Sequence, residues 1–206
     1  MDTQGLISLL AAMNDRMQKE KDYLTELDNA IADGDHGINM ARGFAAVEKK
    51  LPEFAGKDAG TILKTVGMTL ISVVGGSAGP LYGTAFMKSG MAIAGKDTLD
   101  MDDLLLCLRA SIEGVMLRGK AVRGEKTMLD AMIPAYDAMT EARREGLSEK
   151  ETLLRGVRAA WEGVEFTTTI AATKGRASYI GERSIGHRDP GAVSFTCLLE
   201  EIAAAI

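Results

Sequence analysis

Three carboxylates fall in the stretch "DNAIADGDHGIN" (28–39): Asp28, Asp33 and Asp35. Gly34 and Gly37 punctuate the run, and His36 and Asn39 share the same turn. Carboxylates whose side chains converge repel one another. A hard divalent cation removes that repulsion, and Mg²⁺ is commonly held by a few carboxylates together with substrate phosphates. The glycines let the backbone turn sharply enough for alternate side chains to point inward. An EF-hand does not account for the pattern. With Asp33 at its first position, the twelfth is Phe44 rather than a bidentate Glu, and the glycine at the sixth is absent. A purely structural use competes: Asp33 and Asp35 as turn and cap residues of a helix starting near Gly37. Three aspartates with His36 and Asn39 in one turn favour the metal.

Other stretches carry phosphate chemistry. "GGSAGP" (75–80) precedes a helical pattern, and its small residues allow close backbone approach to an anion. It is not a Walker A sequence, having neither the G-x-x-x-x-G-K-[ST] spacing nor a lysine. Alone it reads equally well as a glycine-rich helix–helix turn. "TKGRASYIGERSIGHRDPGA" (173–192) offers Arg176, Arg183, His187, Arg188 and Asp189. Arginine forks phosphate well, although most arginines in such a run are solvated surface charges.

The elements that must position these residues read as helices. "TQGLISLLAAMNDRMQKEKDYLTEL" places Leu6, Leu9, Leu10, Met13 and Met17 on one stripe at i, i+3, i+4, i+7 spacing. Further helices are expected at 37–50, 58–74, 80–93, 100–118, 127–145, 148–174 and 190–205. Start signals support several of them: Asp58, Asp102, Ser148 with Glu151 three residues on, and Pro190 after Asp189. "FTTTI" (166–170) is β-branched but lies within a helical register. The expectation is one all-α domain over 1–206, an eight-helix up-and-down bundle. Alternate loops of such a bundle gather at one end. The segments joining helices 1–2, 3–4, 5–6 and 7–8, which hold both histidines, should therefore form one site.

Bulk properties narrow the classes. Hydrophobic content is 46% and charged content 26%, which argues against disorder. A net charge of −5 provides no basic footprint, so no nucleic-acid partner is expected and an anionic substrate needs local help. Cys107 and Cys197 each sit in an apolar helical pattern and read as buried thiols in a reducing cytosol. No apolar run approaches the length of a membrane span and "MDTQGLISLL" lacks a basic leader region, so a cytoplasmic location away from membranes is expected.

Four stretches, "LDNAIADGDHGINMARGF", "GGSAGPLYGTAF", "KTMLDAMIPA" and "ASYIGERSIGHRDPGAVS", occur in this order along nearly the whole chain. Together they resemble the nucleotide-binding L subunit of dihydroxyacetone kinase, a domain also found in single-chain dihydroxyacetone kinases. The resemblance implies an eight-helix up-and-down barrel with nucleotide at one rim. It implies two Mg²⁺ on Asp28, Asp33 and Asp35, bridging to the phosphates of ADP, or of ATP once phosphorylated. His36, Gly37, Ile38 and Asn39 would lie against the nucleotide, with Ser77 and Ala78 at the phosphates. Gly119 and Met128 would lie near base and ribose, and Arg176, Asp189, Pro190 and Gly191 would complete the contacts. Ala78 departs from the pattern, since many relatives carry a second serine there; a hydroxyl is lost but the backbone N–H remains.

The resemblance further implies a division of labour. A phosphohistidine carrier of the sugar phosphotransferase system phosphorylates bound ADP, and the γ-phosphoryl passes to dihydroxyacetone on a partner subunit, since 206 residues leave no room for the ketose-binding half. Other readings are an ATP-dependent kinase for another small ketose or sugar alcohol, and a nucleotide-sensing adaptor of a transcription regulator. A fatty-acid kinase domain fits less well, because that branch usually has Thr in place of His36.

Overall fold

The computed structural model describes residues 1–206 and is all-helical, with one isolated antiparallel bridge between Asp2 and Thr98. Eight α-helices follow in order: α1 (Thr3–Ile31), α2 (His36–Glu48), α3 (Ala59–Val73), α4 (Ala78–Ala92), α5 (Met101–Gly119), α6 (Leu129–Arg144), α7 (Glu149–Thr167) and α8 (Pro190–Ala204). Short 3₁₀ segments at Leu51–Phe54 and Arg176–Ser184 punctuate the connections. Each helix packs on its sequence neighbours and α8 returns to α1, which closes the ring. The expected eight-helix up-and-down barrel is what the chain forms.

The helix ends are set by local hydrogen bonding. Asp58 accepts from the Thr61 N–H at 3.0 Å and starts α3. Ser148 and Glu151 close a reciprocal capping box on α7, as their spacing predicts. The start of α5 differs from expectation: Asp100, not Asp102, is the cap, and Asp103 completes the box. Asp102 lies in the first turn instead and pairs with Arg143 at 3.1 Å.

Two boundaries move, one by about a turn and the other by about two. Helix α1 continues four residues past the expected Leu27, so Asp28 belongs to its last turn. Helix α7 stops at Thr167 rather than running to 174. Three successive threonines end it, for Thr167, Thr168 and Thr169 each turn their hydroxyl back onto the carbonyl three residues earlier, and the backbone tightens to i→i+3 bonds.

The core runs round the inside of the ring, with Leu10, Met17, Phe44, Leu70, Leu129 and Leu153 fully buried. Helices α3 and α4 approach so closely that a Cβ on Gly67 would lie 2.5 Å from the Gly83 carbonyl oxygen. An apolar cavity of about 780 Å³ occupies the barrel interior, lined by Leu6, Leu9, Phe86, Leu108, Met132 and Phe195 among others. No helix is long and apolar enough to cross a membrane.

Candidate nucleotide and metal site

At one rim of the barrel lies a second cavity, about 390 Å³, walled by all four of the loops expected to converge. The α1–α2 turn contributes Asp28, Asp33, Asp35 and His36; the start of α4 contributes Ser77 and Ala78. The α5–α6 connection contributes Gly119 and Met128, and the α7–α8 segment Arg176, Asp189, Pro190 and Gly191. Gly37, Ile38 and Asn39 are not in this lining. A Cβ on Gly37 would meet the Lys21 carbonyl oxygen at 2.0 Å, so this glycine is needed for α2 to lie against α1. Ile38 is exposed, and Asn39 holds Arg42 through its Oδ1 at 2.7 Å.

The acidic trio converges. Carboxylate oxygens of Asp28, Asp33 and Asp35 all lie within 4.8 Å of one another. Gly34, at φ +71°, makes the reversal that an L side chain would resist. Asp28 is buried, and its Oδ2 accepts the backbone N–H groups of Asp35 (2.9 Å) and His36 (3.2 Å). Burial pushes the Asp28 carboxyl above its ordinary range, the two N–H donors oppose that shift, and the neighbouring aspartates add to it. The capping explanation fails for Asp35, which stands at the N-cap of α2 yet makes no side-chain cap bond. Its carboxylate is free for a ligand. Three converging oxygen donors, one of them destabilised as an anion by burial, fit a hard divalent cation.

The second loop lies directly beside the trio. A Cβ on Gly76 would sit 3.6 Å from Asp35 Oδ2, and this residue adopts φ +62°. Ser77 caps α4 by position only, without a side-chain bond, leaving its hydroxyl and the first-turn N–H groups of the helix at the cavity edge. Across the mouth, Arg176 Nε pairs with Asp33 Oδ2 at 3.1 Å, both groups being solvent-accessible.

The floor is polar and buried. His36 Nε2 lies 2.9 Å from Ser194 Oγ, and Tyr82 OH lies 2.6 Å from the same oxygen while donating to the Gly191 carbonyl at 3.2 Å. Burial drives the His36 imidazole down to about 4, so it is neutral at physiological pH. Burial likewise raises the Asp189 carboxyl to about 7; its Oδ2 accepts the Ala192 N–H at 2.8 Å and starts α8. Sequence reasoning passed over Tyr82, Ser194, Asp130 and Lys126. Tyr82, Ser194 and Lys126 owe their roles to partners distant in the chain, while Asp130 bonds the nearby N–H groups of Gly124 and Thr127 in a turn that no sequence signal marks.

This is a class of site suited to a phosphorylated ligand held through a divalent cation, on an all-helical barrel. The chain belongs to the DAK2 domain family, whose model matches residues 30–204. It is 43% identical over 200 residues to "PEP-dependent dihydroxyacetone kinase, ADP-binding subunit DhaL" of Escherichia coli, covering 97% of this chain and 95% of that one. It is 44% identical to "PEP-dependent dihydroxyacetone kinase 1, ADP-binding subunit DhaL" of Listeria innocua, covering 96% and 93%. The fold matches the crystal structure of the dihydroxyacetone kinase from C. freundii in complex with AMP-PNP and Mg²⁺, with a TM-score of 0.75, 21% identity and coverage of 97% of this chain. Of that longer kinase chain it spans 33%, about a third.

Proposed function

We propose that this chain is the ADP-binding, phosphoryl-transferring subunit of a phosphoenolpyruvate-dependent dihydroxyacetone kinase. The observation that carries the reading is the convergence of Asp28, Asp33 and Asp35 with the start of α4 and with Arg176 around one rim cavity. The near full-length likeness to ADP-binding subunits supports adenine nucleotide as the ligand.

In this reading Asp28, Asp33 and Asp35 would hold two Mg²⁺, and the chemistry these would supply is neutralisation of phosphate charge. The chain's own contribution is positioning and electrostatic stabilisation. Ser77 and the N-terminal turn of α4 receive the phosphates, and Ala78 offers its N–H where a second hydroxyl is lacking. Arg176 swings from Asp33 to a phosphate oxygen. His36, neutral and fixed by Ser194, supports the nucleotide without adding charge, while Gly37, Ile38 and Asn39 shape the turn behind it. Met128 and Gly119 give apolar contact to the base and ribose, with Asp189, Pro190 and Gly191 as the facing backbone. A partner subunit supplies dihydroxyacetone, and a phosphohistidine carrier rephosphorylates ADP in place.

Retention of nucleotide tests the reading. The purified chain, loaded with ADP and Mg²⁺ and passed through gel filtration, should elute with ADP near one equivalent. Rapid loss of ADP with free exchange of ATP would replace it by an ATP-dependent kinase for a small ketose or sugar alcohol. Failure to bind either nucleotide, measured by calorimetry, would overturn it.

A further inference from the structure

Lys126 is the one lysine of the chain among its largest fully buried side chains, 1% exposed, and its backbone adopts the left-handed region at φ +60°. Lysine is rarely buried without a charged partner. Here the ammonium's direct partners are main-chain oxygens, with the carboxylates of Asp189 and Asp130 nearby but not bonded to it. It donates to the carbonyls of Thr167 and, at 2.5 Å, of His187, with the Ile170 carbonyl at 3.5 Å. The three acceptors belong to the last residue of α7, the turn after it, and the run-in to α8. A cation is favoured at a helix C-terminus, where the carbonyls lack intrahelical donors.

The surroundings are arranged to deliver this contact. Buried Asp130 accepts the N–H groups of Gly124 (2.5 Å) and Thr127 (2.8 Å), shaping the turn from which Lys126 reaches inward. Thr167 Oγ1 accepts the Asp189 N–H at 2.9 Å, so the residue that Lys126 grips also holds the cap of α8. Two residues past Lys126, Met128 lies against Gly191, where a Cβ would approach Met128 Cβ to 3.5 Å. Lys126, Met128, Asp189 and Gly191 all line the rim cavity.

Given the nucleotide reading above, on which this rests, we infer that Lys126 is a positioning residue for nucleotide binding. Its ammonium ties the α5–α6 connection to the end of α7 and to the approach to α8, and thereby sets the junction of Met128 with Asp189–Gly191. A packing role alone would be met by an apolar side chain, and buried ionic groups cost desolvation. The ammonium reaches all three segments from one point, whereas the other bonds among them, such as Gly186 N–H to the Thr168 carbonyl and Thr173 N–H to the Glu125 carbonyl, each join only two.

The test compares Lys126→Met with Leu153→Ala, a buried α7 change outside the cavity, by calorimetry with ADP and Mg²⁺ at a temperature where near-ultraviolet circular dichroism finds both folded. Lys126→Met should lose at least tenfold in ADP affinity, and trypsin should cleave faster at Lys174, Arg176, Arg183 and Arg188. Leu153→Ala, although thermally destabilised, should stay within twofold of the wild type. Equal affinity of Lys126→Met and the wild type overturns the inference, as does an equal loss in Leu153→Ala, which would make the effect one of global stability. If Lys126→Met does not fold, Lys126→Arg decides: it keeps N–H donors but displaces them from the three carbonyls and should weaken ADP severalfold, whereas unchanged affinity overturns the proposal. Failure of the wild-type chain to bind ADP overturns the nucleotide reading and this inference with it; equal binding by all variants overturns only the role of Lys126.

Discussion

The acidic trio divides its work among three differently placed carboxylates. Asp28 is buried and already engaged by two backbone N–H groups, whereas Asp33 and Asp35 are accessible and have lone pairs to give. Asp33→Asn and Asp35→Asn should therefore weaken Mg²⁺-dependent ADP binding at least tenfold, with helicity by circular dichroism unchanged. Calorimetry with and without Mg²⁺ checks this, and unchanged affinity in both variants would remove the metal assignment. Arg176 carries a second prediction. Its guanidinium is accessible and pairs with Asp33. Arg176→Ala should cost about 1.5 kcal/mol of ADP affinity, the lower part of the range for a hydrogen bond to a charged group because solvent screens it. Stability without nucleotide should barely change. Arg183→Ala serves as the comparison, and equal, negligible losses in both would reduce Arg176 to a surface charge.

At the scale of elements, the caps and the close approaches of helices set where the loops begin. Asp58 illustrates the first. Hydrogen bonds from Thr61 and Gly95 hold its carboxyl down to about 2. A folded-state value below the unfolded one gives stability that is present above about pH 4 and is lost as pH falls toward 2. The difference in thermal midpoint between the wild type and Asp58→Ala should thus be constant from pH 7 to 5 and shrink between 4 and 2. A difference independent of pH over that span would mean the cap works through shape alone. Gly163 illustrates the second. A Cβ there would lie 2.0 Å from the Asp130 carbonyl oxygen, so α7 and α6 must part to admit it. Gly163→Ala should destabilise by about 3 kcal/mol or more, measured by urea unfolding, and should loosen the segment that carries Lys126 and Met128.

For the whole molecule, ring closure does the assembling. Because α8 packs back on α1, the α7–α8 segment comes to lie over the α1–α2 turn, and Arg176 meets Asp33 across 143 positions of sequence. The mouth formed in this way opens on the rim cavity of about 390 Å³. The chain alone, given ATP or a phosphoenolpyruvate-driven carrier system, should not phosphorylate dihydroxyacetone; adding a ketose-binding partner subunit should restore turnover. A coupled assay for dihydroxyacetone phosphate reads both cases, and a robust rate from the chain alone would refute the subunit reading.

Much of this was legible in the order of residues because it depends on local rules. The 3.6-residue periodicity announces eight helices, and the caps at Asp58, Ser148 and Asp189 follow from side chains that reach three residues along. The aspartate turn is local too, since Gly34 brings Asp33 and Asp35 close within a few residues. The α7 end was misplaced because β-branched threonines in helical register do not reveal that their hydroxyls will turn back on the chain. Tertiary structure alone decided the rest. The buried bond of His36 to Ser194 joins α2 to α8 across 158 positions, the Arg176–Asp33 pair joins opposite ends of the chain, and the ammonium of Lys126 finds carbonyls 41 to 61 residues away. Side-chain type fixes what a group can bond to, but its partner, and the low-dielectric surroundings that strengthen the bond, exist only once the ring has closed.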